Sequence, residues 1–147
     1  MLFKKYQKTL LKILFLILVI ADRLLKFFFL KNPEIIKVGK ILSLEFFPNY
    51  GLTFGIDIKS YFSLILSISF FIILLIFLLK NKKDRYNINS LISILLFTSI
   101  SNIYDRIIYR YVIDYISIFN ILIFNISDII IVSCLSVIIF KILKNDK

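Results

Sequence analysis

The stretch "YFSLILSISFFIILLIFLL", residues 61–79, runs for nineteen residues without a charge. A hydrocarbon core about 30 Å thick is crossed by roughly 20 apolar residues in a helix, so this run has the length of a membrane span. Three further segments approach it, which places spans at about 9–30, 61–79, 88–105 and 126–143. In lipid, backbone polar groups must be paired within a helix or around a closed barrel, and these runs lack the two-residue alternation of barrel strands. The expected fold class is a membrane all-α protein, with four transmembrane helices in a single integral domain over residues 1–147.

The composition agrees: 60% of residues are hydrophobic, too many for an ordinary soluble domain of this size. The 19 Lys and Arg against 9 Asp and Glu do not point to nucleic acid, because they gather at the ends of apolar runs rather than along one polar face. Lys4, Lys5, Lys8 and Lys12 precede the first run, Lys80, Lys82, Lys83 and Arg85 join the second to the third, and Lys141, Lys144 and Lys147 follow the fourth. Eleven of the 19 basic residues thus share one side, which the positive-inside rule makes cytoplasmic, with both termini there. The first run begins like a cleavable signal peptide, but no small-x-small site follows it cleanly and three spans come after, so it is expected to stay as a helix.

The opposite side receives segments at about 31–60 and 106–125. The first is too long for a simple turn. Its "ILSLEFFPNYGLTFGI" mixes β-branched and aromatic residues with Pro48, Gly51 and Gly55, which suggests short strands and a turn in a small extracytoplasmic β-cradle. Around Asp114, "YVIDYI" reads as a short strand or an irregular hydrophobic segment.

Several chemistries are excluded at the outset. The chain has no His and a single Cys, so an intramolecular disulfide, a His- or Cys-rich zinc site and a Ser/His or Cys/His nucleophile all lack their parts. No metal or cofactor is expected, and Cys134 reads as a small apolar helix residue. What remains is carboxylates. Ionisable residues in or beside membrane spans are costly enough that each is a functional hypothesis. Asp22 and Lys26 lie four apart on one helix face, in a favourable ion-pair order, with Arg23 and Lys26 expected to snorkel to the interface. Asn49 and Gly51 suit a turn, and Asn49 could equally offer its amide to an oxyanion or a substrate backbone. Asp105 and Arg106 are adjacent, point in different directions and need separate partners. Asn125 or Asp128 could cap the last helix.

Topology brings the outer ends of spans three and four together, so Asp114 and Asp128 can face each other. Two close carboxylates do not both ionise readily, leaving one protonated and one charged. An aspartic protease uses that state: one carboxylate activates water and the other protonates the leaving amine. The composition permits this chemistry without selecting it. A small proton- or cation-coupled transporter could use Asp22, Asp105 and Asp128, although these lie near span ends rather than at the midplane. An assembly factor could use the same aspartates only as caps and ion pairs.

Four motifs in order carry a family resemblance over nearly the whole chain. "ADRLLK" holds Asp22 and Lys26; "NYGLTF" holds Asn49, Gly51 and Phe54; "SNIYDR" and "VIDY" hold Asn102, Asp105, Arg106, Val112 and Asp114; "FNISD" holds Phe124, Asn125 and Asp128. Together they resemble the lipoprotein signal peptidases (signal peptidase II), bacterial membrane aspartic peptidases. The resemblance implies Asp114 and Asp128 as the catalytic pair. Asp22, Lys26, Asn49, Gly51, Asn102, Asp105, Arg106 and Asn125 would support catalysis or bind substrate. It also implies diacylglyceryl-prolipoprotein substrates cut before the lipid-modified Cys, contact with membrane lipids, inhibition by globomycin-like cyclic peptides, and a site on the outer face of the bacterial inner membrane. The chain departs from the family pattern at Ser101 and Arg110, where glycine is usual, and at Ser127, where alanine is usual.

Overall fold

The computed structural model describes residues 2–34, 36–39, 41–51, 60–81 and 88–145. Phe54, Gly55 and the basic cluster Lys82, Lys83 and Arg85, all used above, lie outside the described residues. Four long helices account for most of the rest: α1 (Leu2–Lys31), α2 (Ser60–Lys80), α3 (Asn89–Tyr109) and α4 (Ile126–Asn145). Three of them are long and apolar enough to cross a membrane, over Tyr61–Lys80, Asn89–Tyr109 and Ile126–Lys144. α3 is the central one, with 61% of its span buried inside the protein against 6% for α2. Its Ile92, Leu95 and Leu96 pack on Ile130, Cys134 and Ile138 of α4, with Phe15 and Leu18 of α1 and Phe71 and Leu74 of α2 closing the core. Cys134 is therefore a core residue, as its apolar setting suggested.

A four-stranded antiparallel sheet in the order β1-β2-β3-β4 completes the fold. Its strands are β1 (Ile36–Val38), β2 (Leu42–Asn49), β3 (Val112–Ile118) and β4 (Leu122–Phe124). Residues 42–49 of the first strand-like stretch noted in the sequence thus form β2, and the stretch around Asp114 lies in β3. β2 and β3 begin in one register, Leu42 opposite Ile118 and Leu44 opposite Ile116, and leave it before Phe47, which lies opposite Asp114. One extra residue in β2 separates the two registers, a β-bulge. It has a consequence for function. Continued without the bulge, the first register would set Asn49 opposite Tyr111, on the face away from Asp114, because strand side chains alternate. With it, Asn49 lies opposite Val112 and shares the face of Asp114.

α3 runs to Tyr109, four residues past the expected span end, so Asp105 and Arg106 lie within it. Buried partners, described below, hold both charges, so they do not end the helix. It stops at Arg110, whose φ of 70° is left-handed and breaks the helical repeat.

Candidate active site

Asp114 comes from β3 and Asp128 from the first turn of α4, and both are buried, at 0% and 4% exposure. Asn125 joins them. Its Nδ2 donates to Asp114 Oδ1 at 2.6 Å while its Oδ1 accepts the backbone N–H of Asp128 at 3.0 Å. Asp128 Oδ2 in turn accepts the backbone N–H of Asn125 at 3.3 Å. This reciprocal pair is a capping box, in which each side chain satisfies a backbone donor at the helix start. The cap expected from the sequence is present, and it occupies one oxygen of Asp128. The other accepts Asn102 Nδ2 at 3.0 Å.

The second oxygen of Asp114 accepts Asn49 Nδ2 at 2.8 Å, across the sheet from β2. Asn49 Oδ1 accepts the N–H of Gly51 at 2.9 Å, so the turn and the site are built from one side chain. A cleft of about 250 Å³ opens at this point, lined by Phe47, Pro48, Asn49, Tyr50, Gly51, Asp114 and Ile123. Burial, and after it the negative charge of Asp128, push the Asp114 carboxyl up to about 7, against the opposing hydrogen bonds from Asn49 and Asn125. Asp114 therefore keeps its proton well above the pH at which an ordinary carboxyl has released it.

A second polar layer lies between α1 and α3. Lys26 Nζ donates to Asn102 Oδ1 at 2.6 Å and to Asp105 Oδ2 at 2.8 Å, and lies 3.4 Å from Asp22. Lys26 is 0% exposed, so the expectation that it snorkels to the interface is corrected. Two carboxylates and an asparagine oxygen satisfy the ammonium inside the bundle, and reaching for water would strip all three. Arg23 pairs with Asp105 Oδ1 at 2.5 Å and its side chain stays 35% exposed, over the Tyr104 ring. Arg106 turns elsewhere, as adjacency required: its guanidinium donates to Gly51 O at 3.0 Å and to Ser63 Oγ at 3.4 Å.

Asp22 receives the hydroxyls of Ser101, Ser127 and Tyr115, at 3.1, 2.7 and 2.9 Å. Sequence reasoning missed Tyr115 and Ser63. The signal for Tyr115 was its phenol within an apolar stretch beside Asp114, since a buried tyrosine hydroxyl needs a partner. Ser63, inside the uncharged run of α2, gave no such signal. The ten residues to which the resemblance gave catalytic or supporting roles are thus in one connected cluster.

The sequence matches the family described as "Signal peptidase (SPase) II" over residues 14–144. It is 34% identical over 134 residues to the lipoprotein signal peptidase of Wigglesworthia glossinidia brevipalpis, covering 84% of this chain and 87% of that one. It is also 34% identical over 118 residues to that of Caldicellulosiruptor bescii, covering 80% and 77%. Among solved structures, a bacterial membrane enzyme determined by the in meso method at 2.3 Å resolution superposes with a TM-score of 0.78 at 26% identity, covering 92% of this chain and 89% of that one. A four-motif pattern, a helical bundle with its small sheet and a match over nearly the full length agree: this chain belongs to the signal peptidase II family.

Proposed function

We propose that Asp114 and Asp128 are the catalytic pair with which this peptidase removes signal peptides from diacylglyceryl-modified prolipoproteins, cutting before the lipid-modified cysteine. The observation that carries the reading is the Asn125 side chain, which binds Asp114 with one end and the start of the Asp128 helix with the other. It ties together two buried carboxylates beside an open cleft, one of them, Asp114, with its carboxyl raised to about 7.

In this reading the charged carboxylate takes a proton from water as the water oxygen attacks the scissile carbonyl. The protonated partner donates to the developing oxyanion, and a proton then passes to the leaving amine of the cysteine as the C–N bond breaks. Asn49, Asn102 and Asn125 hold the carboxylates in place. Gly51, fixed by Arg106, shapes the cleft wall, and Asp22, Lys26 and Asp105 form the charged base beneath. Four carboxylates, Asp22, Asp105, Asp114 and Asp128, face three cations, Arg23, Lys26 and Arg106, so one shared proton leaves this cluster neutral. That balance favours the state acid–base chemistry needs.

α1 serves as the fourth span. Its 30 residues reach about 45 Å at roughly 1.5 Å each, and Ile13, Ile17, Ile20 and Leu24 are exposed on its surface, an apolar stripe suited to lipid. With four spans, the distribution of basic residues supports a topology with both termini in the cytoplasm and the sheet and cleft at the outer face of the inner membrane, where membrane lipids and globomycin-like cyclic peptides would reach them.

The test is cleavage of a purified diacylglyceryl-prolipoprotein in detergent by wild type, Asp114→Asn and Asp128→Asn at matched folded amounts. Loss of general acid–base catalysis should lower kcat by about a thousandfold in each variant. Variants that cut as fast as wild type would overturn the assignment.

A further inference from the structure

We propose that Tyr115 is a positioning residue. With Asp22, Ser101 and Ser127 it docks the first turn of α4 against β3 and so sets the spacing of the two carboxylates. The proposal rests on the catalytic pair assigned above.

The first N–H groups of a helix have no partner within it. In α4, Asn125 satisfies that of Asp128, but the two before it reach outside the segment. Ile126 N–H donates to the Tyr115 hydroxyl at 3.3 Å, and Ser127 N–H donates to Asp22 Oδ1 at 3.3 Å. The Tyr115 hydroxyl itself donates to that same Asp22 oxygen at 2.9 Å. A strand residue and an α1 residue therefore cap α4 jointly. Asp22 Oδ2 gathers the hydroxyls of Ser127 and Ser101, which ties α4 and α3 to the same carboxylate.

The two ends of this clamp sit beside the chemistry. Tyr115 follows Asp114 in β3 and Ser127 precedes Asp128 in α4, so the clamp fixes the backbone next to each carboxylate. The phenol is rigidly seated: Tyr115 is 1% exposed and its ring stacks on Phe29, 5.5 Å between centroids and 8° from parallel. Burial, and then the nearby Asp22 carboxylate, raise the Tyr115 hydroxyl above its ordinary range, so it stays a donor. Alternation along β3 turns Tyr115 away from the face of Asp114, and it is not among the residues lining the cleft.

Two of the three hydroxyls stand at departures from the motif pattern noted in the sequence. Where that pattern has glycine and alanine, this chain has Ser101 and Ser127, and both donate to the carboxylate that also receives the Tyr115 hydroxyl. They behave as one set.

The decisive variant is Tyr115→Phe, which keeps the ring and its stacking and removes only the hydroxyl. Because Tyr115 lies outside the cleft, kcat should fall about tenfold while KM stays within about twofold, since small displacements of reacting groups tell mainly on the chemical step. In the double variant Tyr115→Phe/Ser127→Ala, the loss should be smaller than the product of the two single losses, as for residues acting as a unit. Thermal midpoints and folded fractions are measured in the same samples. An unchanged kcat per folded molecule, a change in KM alone, or multiplicative losses in the double variant would each overturn the proposal. Asp114→Asn and Asp128→Asn are assayed alongside. If they are inactive and Tyr115→Phe is not slowed, the positioning role alone falls; if they cut normally, the catalytic pair falls and the positioning role with it.

Discussion

Lys26 shows how far a side chain's role depends on partners that sequence spacing does not reveal. The i, i+4 relation to Asp22 was legible and is real, at 3.4 Å. The tighter contacts come from Asn102 and Asp105, more than seventy residues away, and they draw the ammonium inward. Removing one partner from a buried ionic cluster strands the others, at about 3–5 kcal/mol. Lys26→Met should therefore yield little folded protein, read by size exclusion and thermal melting in detergent; a melt within a degree or two of wild type would contradict the cluster's importance. The proposed catalytic pair makes a pH prediction of its own. With Asp114 raised to about 7, kcat/KM should be bell-shaped, and its alkaline limb should lie near pH 7, where the shared proton is lost. The acid limb marks uptake of a second proton and loss of the base. The stability sign follows from the same shift. Between about pH 4 and 7 the folded state keeps a proton on Asp114 that the unfolded state has released, so this group's contribution makes stability fall as pH rises through that window and level off above it. A flat activity profile, or an alkaline limb below pH 5, would count against the shared proton.

At the scale of elements, the helices and the existence of the strands were legible because apolar runs and β-branched stretches are local signals. The bulge in β2 was not. A one-residue register change is decided by which pairing buries the right faces, and no single residue between Leu44 and Phe47 announces it. The end of α3 was misplaced for a related reason: Arg106 looks like a boundary charge until its partners Gly51 and Ser63 are known. Arg110, where the family pattern has glycine, closes α3 at a φ of 70°. A left-handed backbone disfavours an L residue with a side chain by about 1–2 kcal/mol, whereas glycine adopts it freely. The Arg110 guanidinium over the Tyr61 ring, 5.4 Å from its centroid, returns about 0.5–1 kcal/mol of that. Arg110→Gly should thus raise the thermal midpoint by about 2–4 °C, whereas Arg110→Ala, which keeps the Cβ and loses the ring contact, should not. Equal midpoints for the two variants would mean that the left-handed turn is not what limits stability there.

For the whole molecule, composition and four apolar runs gave the class of fold. The ordered motifs gave the family. What they could not give was the arrangement in which α3 is enclosed while α2 and much of α1 present apolar side chains outward, because that depends on which helix faces which. The outward surface fits lipid, and the proposed topology can be tested on it. Asn120 lies exposed in the turn between β3 and β4, and Lys144 lies exposed near the end of α4. Cys134, the chain's single cysteine, is buried and should give little background. In intact spheroplasts, a membrane-impermeant maleimide should label Asn120→Cys at once and Lys144→Cys only after the membrane is opened. Labelling in the reverse order would invert the orientation drawn from the basic residues and place the cleft on the cytoplasmic side. Equal labelling of both in sealed cells would put both sites on the outer side, leaving α4 without a crossing despite its apolar length.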